Sequence, residues 1–148
     1  MIVYLDASAL VKRYVAETGS QTVTSLITKA NTIGTAAISR AEVSSALGKA
    51  TRMKVLSHAE AASALQVFTA DWENLIRLQI TEVLVARAAT LAWDHGLRGY
   101  DAVHLAAATF WQEMLGDPVV LVTFDRQLWL GASITGLIAW PESLKLEK

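Results

Sequence analysis

The sequence predicts an α/β fold in which a parallel sheet lies between two layers of helices. Short apolar runs, such as VVLVTF at 119–124, are typical of strands that are covered on both faces. These runs alternate along the chain with segments in which apolar residues recur at helical spacing, as expected for parallel strands with right-handed helical crossovers. No Pro/Gly-rich linker divides the chain, so we expect residues 1–148 to form a single domain.

The first half of the chain begins with the strand-like stretch IVYL at 2–5. In order, we predict helices at 9–16 and 20–30, a strand at 32–38, and helices at 40–54 and 58–72. Two stretches, SRAE at 39–42 and SHAE at 57–60, match the capping-box pattern, which predicts a helix start at each of them.

The second half continues with the strand-like stretch LIRLQI at 75–80. Leu84, Ala88 and Leu91 recur at helical spacing, and Gly96 stands where a helix end favours glycine. The elements predicted after the strand at 75–80 are helices at 81–95, 101–114 and 126–132 and strands at 119–124 and 136–140. Prolines stand next to both of these strand-like segments, at Pro118 and Pro141.

The composition excludes several classes of site. The chain has no cysteine, which rules out disulfides, thiolate zinc sites and cysteine nucleophiles. No apolar run approaches the roughly 18 residues of a membrane span. Together with the lack of a secretory signal, this leads us to expect a cytoplasmic protein that does not enter a membrane. The net charge of −1 gives no indication of a nucleic-acid partner.

The chain is unusually apolar. Apolar residues make up 53% of it and charged residues only 18%, against a usual charged share of about 25%. Two interpretations remain open: apolar surface is covered by a second copy or another protein, or the core is large and well filled.

Four acidic residues are predicted to meet at one edge of the sheet. Asp6 follows the first strand, Glu42 lies one turn into the helix after the second strand, and Asp125 follows the fourth strand. Asp101 opens a helix that runs antiparallel to the fourth strand, so its start lies over the same edge. The carboxyl edge of a parallel sheet is where α/β proteins place their sites.

Each of these acids also has a structural explanation. Asp6 and Asp125 are suited to cap helices, Glu42 to complete a capping box, and Asp101 to complement a helix dipole. Together, however, they would repel one another. Two carboxylates about 4 Å apart repel by about 4 kcal/mol at an effective dielectric constant near 20. Convergence therefore requires protonation or a bound cation, and oxygen ligands favour Mg²⁺ or Mn²⁺. Such acidic cages serve to hydrolyse phosphodiesters.

Other polar residues accompany the acids. Ser8 and Thr123 are placed to support them through their hydroxyl groups. His104 follows Asp101 by three residues, and its apolar neighbours favour a hydrogen-bonded histidine in a buried helix over a metal ligand. The basic residues near this edge are candidates for contacts with the phosphates of a nucleic acid: Lys12, Arg13, Arg40, Arg98 and Arg126.

Four stretches of the sequence, in this order, resemble the PIN-domain family and, within it, the VapC toxins of toxin–antitoxin pairs. They are YLDASALVKRYVAETGS, ISRAEVSSAL, LRGYDAVHLAAA and LVTFDRQL. The resemblance implies a sheet of order 3-2-1-4-5, Mg²⁺- or Mn²⁺-dependent ribonuclease activity, a homodimer and inhibition by a VapB-type antitoxin. The residues that match the family's site are Asp6, Glu42, Asp101 and Asp125, with Thr123 as the supporting hydroxyl and Ser8 as the small hydroxyl residue after the first acid.

The sequence thus predicts a metal-dependent endoribonuclease. Asp6 and Asp101 are expected to be the main ligands, and Glu42 and Asp125 to complete the cage directly or through water. The alternative is a non-catalytic PIN-like interaction module that keeps the acids as helix caps. A phosphotransferase with Asp6 as nucleophile is disfavoured, because Ser8 stands where the D-x-D pattern of such enzymes has its second aspartate.

Overall fold

Five parallel strands form one sheet of order β3-β2-β1-β4-β5 in the computed structural model, which describes residues 1–144. The strands are Ile2–Leu5 (β1), Thr32–Ala36 (β2), Ile76–Leu78 (β3), Val119–Val122 (β4) and Ile138–Trp140 (β5). The predicted parallel sheet and its strand order are confirmed. β1 lies at the centre, where Tyr4 pairs in register with Gly34 of β2 and Leu121 of β4.

Helices cover both faces of this sheet. They are Ala7–Leu10 (α1), Ser20–Lys29 (α2), Ser39–Arg52 (α3), His58–Trp72 (α4), Glu82–His95 (α5), Gly99–Leu115 (α6) and Arg126–Ile134 (α7). Because side chains alternate along a strand, β1 contributes to both cores: Tyr4 packs with α5, α6 and α7, while Val3 and Leu5 pack with α1 to α4. The result is the predicted three-layer α/β/α arrangement. None of the helices described in residues 1–144 combines the length and hydrophobicity needed to cross a bilayer.

α6 lies close against the sheet, and this contact places its first turns at the carboxyl edge. Gly34 of β2 makes the close approach possible, since a Cβ at this position would lie 2.7 Å from the ring of Trp111. Three successive alanines in the middle of α6 are fully buried: Ala106, Ala107 and Ala108. Asp101 and His104, one turn apart near the start of the helix, are therefore carried to the end of β1.

Two local predictions were wrong. The helix predicted at 9–16 begins earlier, at Ala7, because the side chain of Asp6 caps it by accepting from the N–H of Ala9. After Leu10 the helix tightens into a single 3₁₀ turn, Val11–Arg13. The stretch SRAE at 39–42 is no capping box. Ser39 is fully buried inside α3, and its hydroxyl lies 2.6 Å from that of Thr35 instead of capping the helix.

Other local predictions were confirmed. Ser57 and Glu60 form the reciprocal bonds of a capping box at the start of α4. Gly96 ends α5 in the left-handed conformation, with φ of 64°. Four strands are shorter than predicted, and the stretch 119–124 ends at Val122 because Thr123 to Asp125 form the turn that caps α7.

Candidate active site

All four predicted acids line one cavity of about 240 Å³ at the carboxyl edge of the sheet. Asp6 and Asp101 are each only 3% exposed. Glu42 and Asp125 are more open, with side chains 23% and 21% exposed. The topology therefore gathers into one cavity four carboxylates that are spread over most of the chain.

Asp6 both caps a helix and faces this cavity. Its carboxylate accepts hydrogen bonds from the backbone N–H of Ala9 at 3.0 Å, from Ser8 Oγ at 2.8 Å and from Thr123 Oγ1 at 2.6 Å. Burial raises the pKa of Asp6 above its ordinary value, although these hydrogen bonds act in the opposite direction. The capping role and the site role are therefore compatible in one residue.

The two predicted hydroxyl residues tie the ends of β1 and β4 together. Thr123 Oγ1 donates to Asp6 and accepts from the backbone N–H of Asp125 at 3.0 Å. Ser8 Oγ donates to Asp6 and accepts from the backbone N–H of Phe124 at 3.0 Å. Each hydroxyl thus fixes Asp6 relative to the loop that carries Asp125.

Asp101 and Asp125 are joined by one guanidinium group. Arg98 Nε lies 3.0 Å from Oδ2 of Asp101, and its Nη2 lies 2.6 Å from Oδ2 of Asp125. Burial raises the pKa of Asp101 and the charge of Asp125 adds to this, while Arg98 lowers it. Asp125 also caps α7 by accepting from the N–H of Leu128. Arg98 thus balances part of the negative charge at the mouth of the cavity.

Glu42 is bonded to a buried histidine. Its Oε1 lies 2.6 Å from Nε2 of His104, which is 1% exposed, and Nδ1 of the same ring lies 2.7 Å from the hydroxyl of Tyr4. The prediction of a hydrogen-bonded histidine in a buried helix is confirmed. The hydrogen-bond partners of His104 were not predicted. Glu42 and Tyr4 are 62 and 100 positions away from it, and no local sequence pattern connects them.

The predicted basic residues do not form one group. Lys12 and Arg13 are engaged by neighbouring acids, with Lys12 Nζ 3.1 Å from Glu17 and Arg13 Nε 3.2 Å from Asp71. The remaining three have different surroundings. Arg98 lies in the cavity mouth as described, Arg40 lines a separate cavity of about 630 Å³ with Arg77 and Gln79, and Arg126 is exposed at the start of α7.

The donor chemistry of the cavity fits a hard divalent cation, because its four acidic side chains offer only oxygen ligands. Burial is the main cause of the raised pKa values of Asp6 and Asp101, because it penalises the charged carboxylates, and a bound cation would stabilise those charged forms. Nevertheless, within residues 1–144 no group of three His, Cys, Asp or Glu side chains is arranged as a ready-made ion site. Hydrogen bonds to Arg98 and His104 already engage three of the acids, Asp101, Asp125 and Glu42.

Comparison with known proteins shows the family. The family model for the PIN domain matches residues 3–129. Ribonuclease VapC45 of Mycobacterium tuberculosis is 35% identical over 144 residues, which are 97% of this chain and 97% of that protein. Ribonuclease VapC3 of Pyrobaculum aerophilum is 34% identical over 131 residues, which are 86% of this chain and 92% of that protein.

Solved structures support the fold. A toxin–antitoxin complex from Klebsiella pneumoniae contains a chain with a TM-score of 0.65 at 16% identity, with 92% of this chain and 95% of that chain covered. VapBC2 from Rickettsia felis, bound to a DNA fragment from its promoter, gives a TM-score of 0.64 at 18% identity, with 94% and 97% covered. On the family model and the sequence relatives together, this chain belongs to the PIN-domain family and is one of its VapC-type members.

Proposed function

We propose that this chain is a divalent-cation-dependent endoribonuclease and the toxin of a VapBC-type toxin–antitoxin pair. The observation that carries the proposal is the single cavity lined by four carboxylates at the carboxyl edge of the sheet. The sequence relatives named as ribonucleases, at 34% and 35% identity over most of the chain, support it. We also propose that residues 1–148 are one nuclease domain.

Asp6 and Asp101 are the principal cation ligands in this proposal, and Glu42 and Asp125 complete the set directly or through water. When bound, Mg²⁺ or Mn²⁺ supplies the positive charge that acidifies water and stabilises charge building up on the phosphate. Ser8 and Thr123 hold the carboxylate of Asp6 in place by donating to it. The hydrolysis joins the oxygen of water to phosphorus and breaks the opposite bond, between phosphorus and the 3′ oxygen. One proton of the water ends on the 3′ oxygen and the other passes to solvent, which leaves a 5′-phosphate and a 3′-hydroxyl.

We propose that the RNA backbone follows the carboxyl edge of the sheet. Arg98 lines the acidic cavity and Arg126 begins the helix after β4, whereas the cavity lined by Arg40, Arg77 and Gln79 borders β3, which lies on the other side of β1 from β4. β3 is two strands from β1, which is a distance of about 10 Å, so a strand of RNA spans it within a few nucleotides. Lys12 and Arg13 are weaker candidates for phosphate contacts, because both are held by acids.

A VapB-type antitoxin and a second copy of the chain are the proposed protein partners. Two of the solved neighbours are described as a toxin–antitoxin complex and as VapBC2, which supports the first partner. Exposed apolar side chains support an interface, and within residues 1–144 the most exposed of the large ones is Trp93 at 89%. The lack of cysteine is consistent with the proposed cytoplasmic location. Sedimentation of the isolated chain at micromolar concentration is expected to show a dimer, and a monomer would contradict the second copy.

A non-catalytic interaction module is the second candidate. It is favoured by the capping bonds that Asp6 and Asp125 make, since these bonds give both acids a structural role without any cation. The two candidates differ in what they predict for Asp6→Asn. Asparagine caps a helix about as well as aspartate but removes the ligand charge.

The test is cleavage of total RNA with Mn²⁺ by the wild type and by Asp6→Asn, with mapping of the cut ends. We expect Asp6→Asn to abolish cleavage and to melt in EDTA at or above the wild-type temperature, because one repulsion in the cavity is removed. Asp117→Asn, at an exposed site outside the cavity, is the matched control and is expected to cut normally. Cleavage by Asp6→Asn at the wild-type rate would refute the nuclease proposal and favour the interaction module.

A further inference from the structure

His104 links the hydrophobic core to the acidic cavity. It lies on α6, one turn after Asp101, and its ring is 1% exposed. Tyr4, fully buried in the central strand, packs edge-on against it with ring centroids 5.9 Å apart. The imidazole nitrogens lie 2.7 Å from the Tyr4 hydroxyl and 2.6 Å from Glu42 Oε1. Three side chains from β1, α6 and α3 thus form one continuous hydrogen-bonded row.

The chemistry of the partners gives this row a direction. A carboxylate can only accept, so Nε2 of His104 carries the proton and donates it to Glu42. The other ring nitrogen, Nδ1, lies 2.7 Å from the hydroxyl of Tyr4, and this contact is the second hydrogen bond that holds the ring. Burial raises the pKa of Tyr4 well above its usual value, and the charges of Asp6 and Glu42 raise it further, so the hydroxyl keeps its proton.

We propose that His104, itself fixed by Tyr4, is a positioning residue that holds Glu42 in the orientation for cation binding. The inference rests on the proposed function, because Glu42 is a cation ligand only in that proposal. His104 engages Oε1, and Glu42 lines the cavity, so Oε2 is the oxygen left for an ion. His104 need not touch the cation to act in this way.

The burial of the row explains why it would affect cation binding. Glu42 has a long, partly exposed side chain, 23% accessible, which would lose rotamer freedom on meeting an ion. A bond to a buried ring orders this side chain in advance. Removing a hydrogen-bond partner of a metal ligand commonly weakens metal affinity by about 10–100-fold. Binding of Mn²⁺ by the RNA-free protein is therefore the direct readout, separate from cleavage.

The experiment compares Mn²⁺ affinity, measured by calorimetry without RNA, among variants of the row. We expect His104→Leu to weaken it by about tenfold or more. His104→Gln is expected to retain most of the affinity, because its amide N–H can replace Nε2 as the donor to Glu42. Tyr4→Phe keeps the buried ring and removes only the hydroxyl, so it should weaken Mn²⁺ binding less than His104→Leu does.

A matched control and a double-mutant cycle separate positioning from general destabilisation. Thr109→Val alters another buried hydroxyl on α6, outside the cavity, and should leave Mn²⁺ affinity unchanged. If His104 acts through Glu42, His104→Leu should cause no further loss in a Glu42→Gln background. Wild-type Mn²⁺ affinity in His104→Leu, or the same loss in the Glu42→Gln background, would overturn the inference.

Two further comparisons keep the test decisive. Should His104→Leu fail to fold, Tyr4→Phe decides, and unchanged Mn²⁺ affinity in that variant overturns the inference. Cleavage of total RNA by the wild type is scored separately. If Mn²⁺ binding depends on His104 but the wild type cleaves no RNA, the positioning role is supported and the nuclease proposal is refuted. If the wild type cleaves RNA but its Mn²⁺ affinity does not depend on His104, the nuclease proposal is supported and the positioning role is refuted.

Discussion

Thr123 Oγ1 donates a 2.6 Å hydrogen bond to Oδ2 of Asp6, although the two residues are 117 positions apart in the chain. The bond connects the ends of the neighbouring strands β1 and β4, where Leu5 pairs with Val122. The same hydroxyl accepts from the backbone N–H of Asp125. One small side chain therefore orders two of the acids that we propose as cation ligands.

Replacement of Thr123 by valine should destabilise the fold markedly, although it changes the shape of the side chain very little. Thr123→Val keeps the shape of the side chain, but it removes the acceptor of the N–H of Asp125 and one of the three donors to the carboxylate of Asp6. We expect a loss of about 1–3 kcal/mol in the free energy of unfolding, measured by urea titration, and slower RNA cleavage. Thr123→Ser keeps the hydroxyl and should retain most of both. Equal stability of the valine variant and the wild type would show that this hydroxyl is not a structural link.

Arg98 should compete with a divalent cation for the same carboxylates. Its guanidinium bonds to Asp101 and Asp125 but its side chain is 61% exposed, so an ion can displace it at modest cost. We expect Arg98→Gln to bind Mn²⁺ severalfold more tightly than the wild type in calorimetry without RNA. Arg87→Gln is the control, because Arg87 bonds Glu113 outside the cavity. Weaker Mn²⁺ binding by Arg98→Gln would instead mean that Arg98 helps to assemble the site.

Stability without metal should depend on pH in an unusual direction. Burial raises the pKa of Asp6 and of Asp101, so the folded chain holds protons that the unfolded chain has released. In EDTA, the melting temperature should therefore fall as pH increases from about 4, the ordinary carboxyl pKa, through the raised values of these groups. Mn²⁺ should raise the melting temperature at the upper end of this pH range, and Asp6→Asn should reduce the slope of melting temperature against pH. Identical slopes in Asp6→Asn and the wild type would exclude Asp6 as a source.

The cavity lined by Arg40 and Arg77 should contribute to RNA affinity through phosphate contacts. We expect Arg40→Ala and Arg77→Ala each to weaken binding of single-stranded RNA and to lower the slope of log affinity against log salt by about 0.7. Binding is best measured in an Asp6→Asn background, where the RNA should remain intact. Arg87→Ala, at the ion pair with Glu113, should leave the slope unchanged. An unaltered slope in both cavity variants would place the RNA elsewhere.

The parallel sheet was predictable because strand-like runs alternate with helical patterns, whereas the order of its strands was expected only from the resemblance to the PIN-domain family. Local helix starts were less predictable, since the same capping pattern occurs both at a helix start that is capped and at one that is not. SRAE and SHAE match one capping pattern, yet Ser57 caps α4 while Ser39 is buried against Thr35. The difference depends on the neighbouring strand β2, which a four-residue pattern does not contain.

The positions of the acids followed from topology alone, because the carboxyl ends of parallel strands share an edge. Their partners did not. The bonds of Glu42 to His104 and of Arg98 to Asp125 depend on which rotamers the surrounding packing allows, and they join residues 62 and 27 positions apart. His104 was expected to be satisfied in the core, but its partner at the site could only be identified from the structure.

The central place of β1 has a consequence for the timing of biosynthesis. β1 is made first, but its neighbour β4 and the hydroxyl of Thr123 emerge more than a hundred residues later. During synthesis, the set of four carboxylates therefore stays incomplete until Asp125 has emerged from the ribosome. If the enzyme attacks cellular RNA, we expect a nascent chain to be inactive up to that point.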